Sequence, residues 1–127
     1  DMQLIYQELE VADRIVLASP IHFAGVSAQM KTMIDRCQAL WARKYILKIP
    51  PLDNQRERKI FFISVCGRKE FTQFEPALAT VKSFSRVLNI TCTEELFFSA
   101  INENREILEH PDTMRQAFEA GQKLMET

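Results

Sequence analysis

Cysteine is scarce and poorly placed for pairing: the chain has three, Cys37, Cys66 and Cys92, odd in number and far apart. That pattern excludes a disulfide framework, offers no CxxC pair for zinc, and fits a reducing, cytoplasmic compartment. Charge of one sign is missing too. Sixteen Lys and Arg stand against 17 Asp and Glu, a net charge of -1, so no basic excess exists to grip phosphates regardless of sequence, and nucleic acid is not an expected partner. No apolar run approaches the roughly 20 residues that cross a bilayer. The opening DMQLIYQELE is acidic and periodic, unlike a signal peptide, so neither a membrane nor export is expected. Internal repeats and low-complexity tracts are absent, as are a Ser-His-Asp triad and a catalytic carboxylate pair.

What remains is an ordinary globular composition. With 127 residues, 46% of them hydrophobic, the chain can close one core, burying about two-thirds of the surface its unfolded form exposes. A single domain over residues 1–127 is expected. Asp1 is placed to cap a helix in which Met2, Ile5, Tyr6, Leu9 and Ala12 recur at helical spacing. RIVLAS follows as a strand apolar on both faces, which is how a strand covered by helices on both sides reads. Ser27 then caps a helix of about four turns marked by Met30, Met33, Ile34, Cys37, Leu40 and Trp41.

The polar, proline-broken connection KIPPLDNQRER leads into KIFFISVC, a second strand apolar on both faces. Pro76 sits in the first turn of a helix whose buried stripe is Leu78, Val81, Phe84, Val87 and Leu88. A third strand runs from about Ile90 to Phe98, and Thr91, Thr93, Glu94 and Glu95 make it an edge strand. Asp112 caps a last helix through Met114, Ala117, Phe118, Gly121, Leu124 and Met125. Alternation of strands and helices predicts an α/β fold with an open parallel sheet and helices on both faces.

Three parallel strands make a small sheet, and only the third is polar enough for an edge. With KIFFISVC in the middle, one side of RIVLAS would carry unpaired backbone groups, each costing on the order of 1–3 kcal/mol if buried. A helix preceding a strand in this architecture usually crosses over from an earlier parallel strand. The expectation is that one or two N-terminal strands are missing from this chain, supplied by an upstream segment or a partner subunit. Phe97 and Phe98, side by side, cannot both face inward unless covered on two sides, which hints at a homo-oligomer.

Ligands of open α/β sheets lie beyond the carboxyl ends of the strands. Two loops qualify. SPIHFAG, residues 19–25, has Pro20 to stiffen it, Gly25 to let it turn, and the flat side chains of His22 and Phe23. SVCGR, residues 64–68, has a glycine that permits close approach and a cation beside it. Such loops suit a flat heterocycle with hydrogen-bonding groups on one edge, or they are two plain surface turns. His22 is either a proton shuttle beside a ligand or a packing residue of its loop. Cys66 is either a thiolate favoured by Arg68 or a small buried residue. His110 has no second imidazole or cysteine at ligand spacing and reads as surface, so no metal site is expected. Trp41, Phe61 and Phe62 belong by periodicity to the core or to a subunit contact.

The stretch ADRIVLASPIHFAGVSAQMKTMIDRCQALW resembles the corresponding segment of the NADPH-dependent FMN reductase family, including its iron–sulfur flavoprotein branch. The resemblance continues through SVCGRKEF to NENREILEHPDTMRQAFEAGQKL. It implies a flavodoxin-like fold in which Ser19, Pro20, Ile21, His22 and Phe23 form the loop beside the isoalloxazine ring of FMN. Cys66, Gly67 and Arg68 would form the second flavin-facing loop. Asp35 and Arg36 share the pattern but fall on a helix face, where charges are solvated or locally paired.

The chain departs from the family twice. A tyrosine or other aromatic commonly stands where this sequence has His22. The family's Ser/Gly/Asn/Thr-rich phosphate loop would precede Asp1, as would the cysteine cluster of the iron–sulfur branch, so any cluster belongs to that segment and a flavin would be held here by its ring.

The implied function is an oxidoreductase in which FMN takes hydride from NAD(P)H and passes electrons to a small acceptor, a quinone or a flavin. No catalytic side chain is expected, because the flavin carries the redox chemistry. Two alternatives stay open: a flavin-binding electron carrier without nicotinamide turnover, and a non-catalytic module of the same fold. A receiver-type module would show acidic residues at the strand ends, where this chain has Ser19 and Cys66.

Overall fold

A computed structural model of the chain describes residues 1–49 and 56–126, and of Thr93 the backbone alone. Most of the KIPPLDNQRER connection, residues 50–55, therefore lies outside the described residues. The order of elements is α1 (Met2–Val11), β1 (Arg14–Pro20), α2 (Ala28–Arg36), α3 (Gln38–Tyr45), β2 (Lys59–Val65), α4 (Glu75–Val87), β3 (Cys92–Phe98) and α5 (Pro111–Met125). Short 3-10 turns, Phe71–Phe74 and Glu106–Glu109, lead into α4 and α5. The strands form one parallel sheet in the order β1-β2-β3, with Ile15 beside Ile60 and Leu17 beside Phe62. A register shift between Ile60 and Phe61 marks the β2–β3 pairing.

Alternation along the strands divides the core by sheet face. On one face Ile15, Leu17, Ile60 and Phe62 meet Met2 and Leu9 of α1, Met33 and Ile34 of α2, Cys37, and Ala77, Val81 and Phe84 of α4. On the other, Phe61, Ile63 and Leu96 pack against Ala120 and Leu124 of α5. Helices therefore cover both faces, and β2 is apolar on both for that reason. Cover over β1 is uneven among the described residues: Leu17 is 5% exposed, whereas Val16, pointing to the α5 side, is 54% exposed.

Phe97 stacks on Phe74 with ring centroids 4.5 Å apart and meets Phe62 edge-on at 5.5 Å. Phe98 points to the opposite face and is buried, whereas Phe97 is half-buried. Each ring thus finds its packing partners on a different face of the sheet.

Several helix ends depart from expectation. Cys37, expected inside one helix, separates α2 from α3: its N–H reaches the carbonyls of Met33 and Ile34, and its backbone leaves helical geometry at ψ 8°. Asp1 accepts no capping bond; its carboxylate pairs instead with Arg36 at 3.2 Å. Asp112 is not the cap of α5 either. Pro111 takes the first helical position, where its missing N–H costs nothing, and His110 stands before it. Ser27 does cap α2, accepting the Met30 N–H at 3.2 Å.

At the starts of the strands, where the helices end, side-chain donors close the helix C-termini. Arg56 reaches the carbonyls of Val11 and Glu10 at 2.8 and 3.1 Å, and Arg58 that of Ala12 at 2.9 Å. Arg14 donates to Leu124 at 2.6 Å and Lys59 to Glu126 at 2.9 Å. Lys44 reaches the carbonyl of Arg86, and the Tyr6 hydroxyl that of Arg36 at 2.6 Å. No helix among the described residues is long and apolar enough to cross a membrane.

Phe62, 0% exposed between α4 and the sheet, should be far more sensitive than Phe118, 67% exposed on α5. Phe62→Ala is expected to cost about 3–5 kcal/mol, and Phe118→Ala less than about 0.5 kcal/mol. Urea denaturation midpoints of the two variants check this ordering.

Candidate functional site

The strands end together. Pro20 pairs with Val65, and Val65 with Phe98, so the loops that follow leave one rim of the sheet side by side. Further bonds knit them: Ile21 N–H donates to Val65 O at 2.9 Å, and Cys66 N–H to Phe98 O at 3.0 Å. A buried pair of serines fixes the base of the first loop. Ser64 Oγ donates to Ser19 O at 2.5 Å, while Ser19 Oγ accepts the Ser27 N–H at 2.8 Å and donates to Pro20 O at 2.9 Å. The start of α2 is thereby tied to the end of β1.

From that base the chain makes a two-residue hairpin. His22 and Gly25 exchange both backbone hydrogen bonds, at 2.9 and 3.0 Å, around Phe23 and Ala24. Both central residues have positive φ, 50° for Phe23 and 63° for Ala24, the signature of a type I′ turn that ordinarily calls for Asn-Gly. Each non-glycine residue in that region costs on the order of 1 kcal/mol.

Gly25, expected to supply the turn, does not: no glycine of the chain has positive φ, and a Cβ at Gly25 would meet only His22 O at an ordinary 3.6 Å. The strain holds the Phe23 ring fully out in solvent. Backbone strain of this kind persists where surrounding structure enforces it, and it is typical of ligand-contacting loops.

The expected site residues separate into two groups. Pro20, His22, Phe23, Gly67 and Arg68 are exposed at the rim, whereas Ser19 and Cys66 are buried and Ile21 packs onto the core. The Ser19 and Cys66 side chains are buried, and the Ile21 and Cys66 N–H groups are already bonded within the sheet rim. Cys66 is 5% exposed, as a small buried residue would be. Elsewhere in the chain, burial pushes the Cys37 and Cys92 thiols up. Among the described residues the N–H groups of Phe23, Ala24, Gly67 and Arg68 donate to no other group of the chain. An exposed aromatic ring beside unengaged backbone donors matches the edge-and-face demands of a flat heterocycle, and so fits the ring of a flavin.

Asp35 and Arg36 take no part in this rim: Lys31 holds Asp35 at 2.8 Å and Asp1 faces Arg36. No three His, Cys, Asp or Glu side chains among the described residues group closely enough to hold a metal ion.

A third loop, after β3, belongs to the rim and was not expected there. Ala100 N–H donates to Arg68 O and Ile101 N–H to Cys66 O, both at 3.0 Å. Asn102 lies against Gly67, where an added Cβ would meet its Oδ1 at 2.5 Å. Close approach is the reason for glycine at that position, and the approaching group is this side chain. Glu106 folds back on the loop, its carboxylate accepting the N–H groups of Asn102 at 2.5 Å and Glu103 at 2.9 Å. These bonds hold the Glu106 carboxyl below its ordinary range. The signal in sequence is Glu103-x-x-Glu106, half of a capping box.

The pattern of the NADPH-dependent FMN reductase family matches residues 1–102 of the chain. An iron–sulfur flavoprotein of Archaeoglobus fulgidus is 49% identical over 45 residues, a stretch that is 35% of this chain and 23% of the relative. The chain thus aligns with about a quarter of that curated relative's length. Among solved structures, the Trp repressor binding protein from Bacillus subtilis superposes with a TM-score of 0.68 at 20% identity, over 100% of this chain and 71% of its own. A flavone reductase superposes with a TM-score of 0.63 at 18% identity, over 91% of this chain and 42% of its own. These superpositions bear out the flavodoxin-like architecture.

Because the turn strain resides at residues 23 and 24, Ala24→Gly should stabilise the chain by about 1 kcal/mol, raising the melting temperature by roughly 3 °C. Gly25→Ala should leave it nearly unchanged. Thermal melts of both variants, followed by circular dichroism, check the assignment.

Proposed function

The chain belongs to the NADPH-dependent FMN reductase family, and from that premise we propose that it is an FMN-dependent oxidoreductase taking hydride from NAD(P)H and passing electrons to a small acceptor such as a quinone or a flavin. The observation that carries the proposal is the strained Phe23–Ala24 turn, which presents a fully exposed aromatic ring at the rim shared with the Cys66–Arg68 loop. The similarity to an iron–sulfur flavoprotein and to a flavone reductase points the same way.

In this proposal each loop has a defined part. Phe23 covers one face of the ring, and the free N–H groups of Gly67 and Arg68 meet acceptors on its edge. The exposed Arg68 guanidinium places positive charge at the rim, which favours anionic groups bound there. Buried Ser19 and Ser64 act from below, fixing the angle at which the first loop leaves the sheet. When bound, the flavin supplies hydride acceptance and electron release. The residues of the chain bind and orient, so no acid or base among them needs a matched pKa. Cytoplasmic residence and assembly into a homo-oligomer complete the proposal, the reducing compartment following from three unpaired thiols.

Visible absorption tests it. Added FMN should show a shifted, structured spectrum on binding, and anaerobic NADPH should then bleach it. Phe23→Ala should weaken FMN binding roughly tenfold through loss of ring stacking. A shift without bleaching would make the chain an electron carrier, and the absence of any shift would refute the flavin assignment.

A further inference from the structure

The third loop has no assigned role, yet its contacts converge on the Cys66–Arg68 segment. Ala100 and Ile101 give that segment its backbone bonds, to Arg68 O and Cys66 O, each 3.0 Å long. Asn102 occupies the space directly over Gly67. The loop itself is shaped against local preference: Ala100 and Arg105 both have positive φ, 58° and 66°. What holds residues between these two points is one carboxylate oxygen of Glu106, which accepts the Asn102 and Glu103 N–H groups together. Hydrogen bonds to an ionised acceptor are stronger than neutral ones, and these two tie Glu106 back to the start of the segment it ends.

We propose that Glu106 is a positioning residue for the ring-facing loop: it sets Asn102 against Gly67 and keeps Ala100 and Ile101 bonded to Arg68 and Cys66, so that the Gly67 and Arg68 N–H groups point to the ligand. The proposal rests on the flavin assignment above for its ligand. The geometry of the clamp is independent of that assignment and can be read without any flavin.

Amide hydrogen exchange and FMN titration of the full chain test it, on wild type, Glu106→Ala and Glu106→Gln. Removing the carboxylate should speed exchange at Ala100 and Ile101 by about tenfold and weaken FMN binding by about tenfold, the loss expected for a charge-assisted hydrogen bond. Melting should stay within roughly 3 °C of wild type, less than a core substitution would move it. Gln retains one acceptor oxygen, so Glu106→Gln should recover most of both effects.

Unchanged exchange at Ala100 and Ile101 in Glu106→Ala would overturn the proposal. So would unchanged FMN affinity, or exchange that rises throughout the sheet together with a large fall in melting, which would mark a general structural role. If wild type binds no FMN, the flavin assignment fails, and the clamp is then decided by the exchange rates alone.

Gly67→Ala provides a second approach, because its Cβ would displace Asn102. FMN affinity should fall in Gly67→Ala and return in the double variant with Asn102→Ala; failure to return would count against Asn102 as the group that Glu106 places.

Discussion

The fold depends on how its helix carbonyls are satisfied. In a parallel sheet each helix runs back against the strands, so the helix C-termini, with their unpaired carbonyls and partial negative charge, collect at the strand starts. Glycine commonly closes such ends, but this chain has three glycines and none of them does so. Arg14, Lys44, Arg56, Arg58 and Lys59 take their place, donating across the fold to the ends of α1, α4 and α5. Asn89 adds one left-handed closure after α4, where Ile90 N–H reaches Ser85 O at 3.0 Å. With that end secured, the opposite end of the sheet is free to carry loops whose geometry is unfavourable in isolation.

Those loops form one connected unit. Ser19 and Ser64 fix the first loop to the sheet, the Cys66 and Phe98 bond joins the second to the third, and Glu106 closes the third. Strain at Phe23 and Ala24 is tolerated because the hairpin bonds of His22 and Gly25, and the packed Ile21 below them, leave the turn no cheaper path. Rigid support beneath and an exposed ring above make a preorganised surface, with its unengaged N–H groups held in place by the fold.

Much of this was legible in the sequence, and the boundary is physical. Strands apolar on both faces announced helices on both sides, and the period of α4 announced its buried stripe, whereas on α5 Ala120 and Leu124 are buried and Met114, Phe118 and Met125 stand exposed. The two rim loops were legible because Gly and Pro at strand ends mark turns. What failed were features decided by distant partners. Asp1 had the chemistry of a cap but faces Arg36, 35 positions away in sequence, and the interruption at Cys37 has no proline or glycine to signal it. Gly25 drew attention from the residues that make the turn, because propensity favours glycine there and the fold overrules it. The third loop escaped notice because its role is defined by what it touches, and Glu103-x-x-Glu106 is a faint local mark beside SPIHFAG.

The closure of the helix ends by long cations has a consequence for how such a chain can diverge. A guanidinium donating to a main-chain carbonyl is indifferent to the side chain that carbonyl belongs to, so helix termini at the strand starts can change residue by residue with little penalty. The rim has no such latitude, since the Phe23 ring, the Glu106 carboxylate and the bare Gly67 each matter through the side chain present or absent. Sequence drift in descendants of this chain would therefore be uneven along the strand axis, rapid where the helices end and slow where they begin.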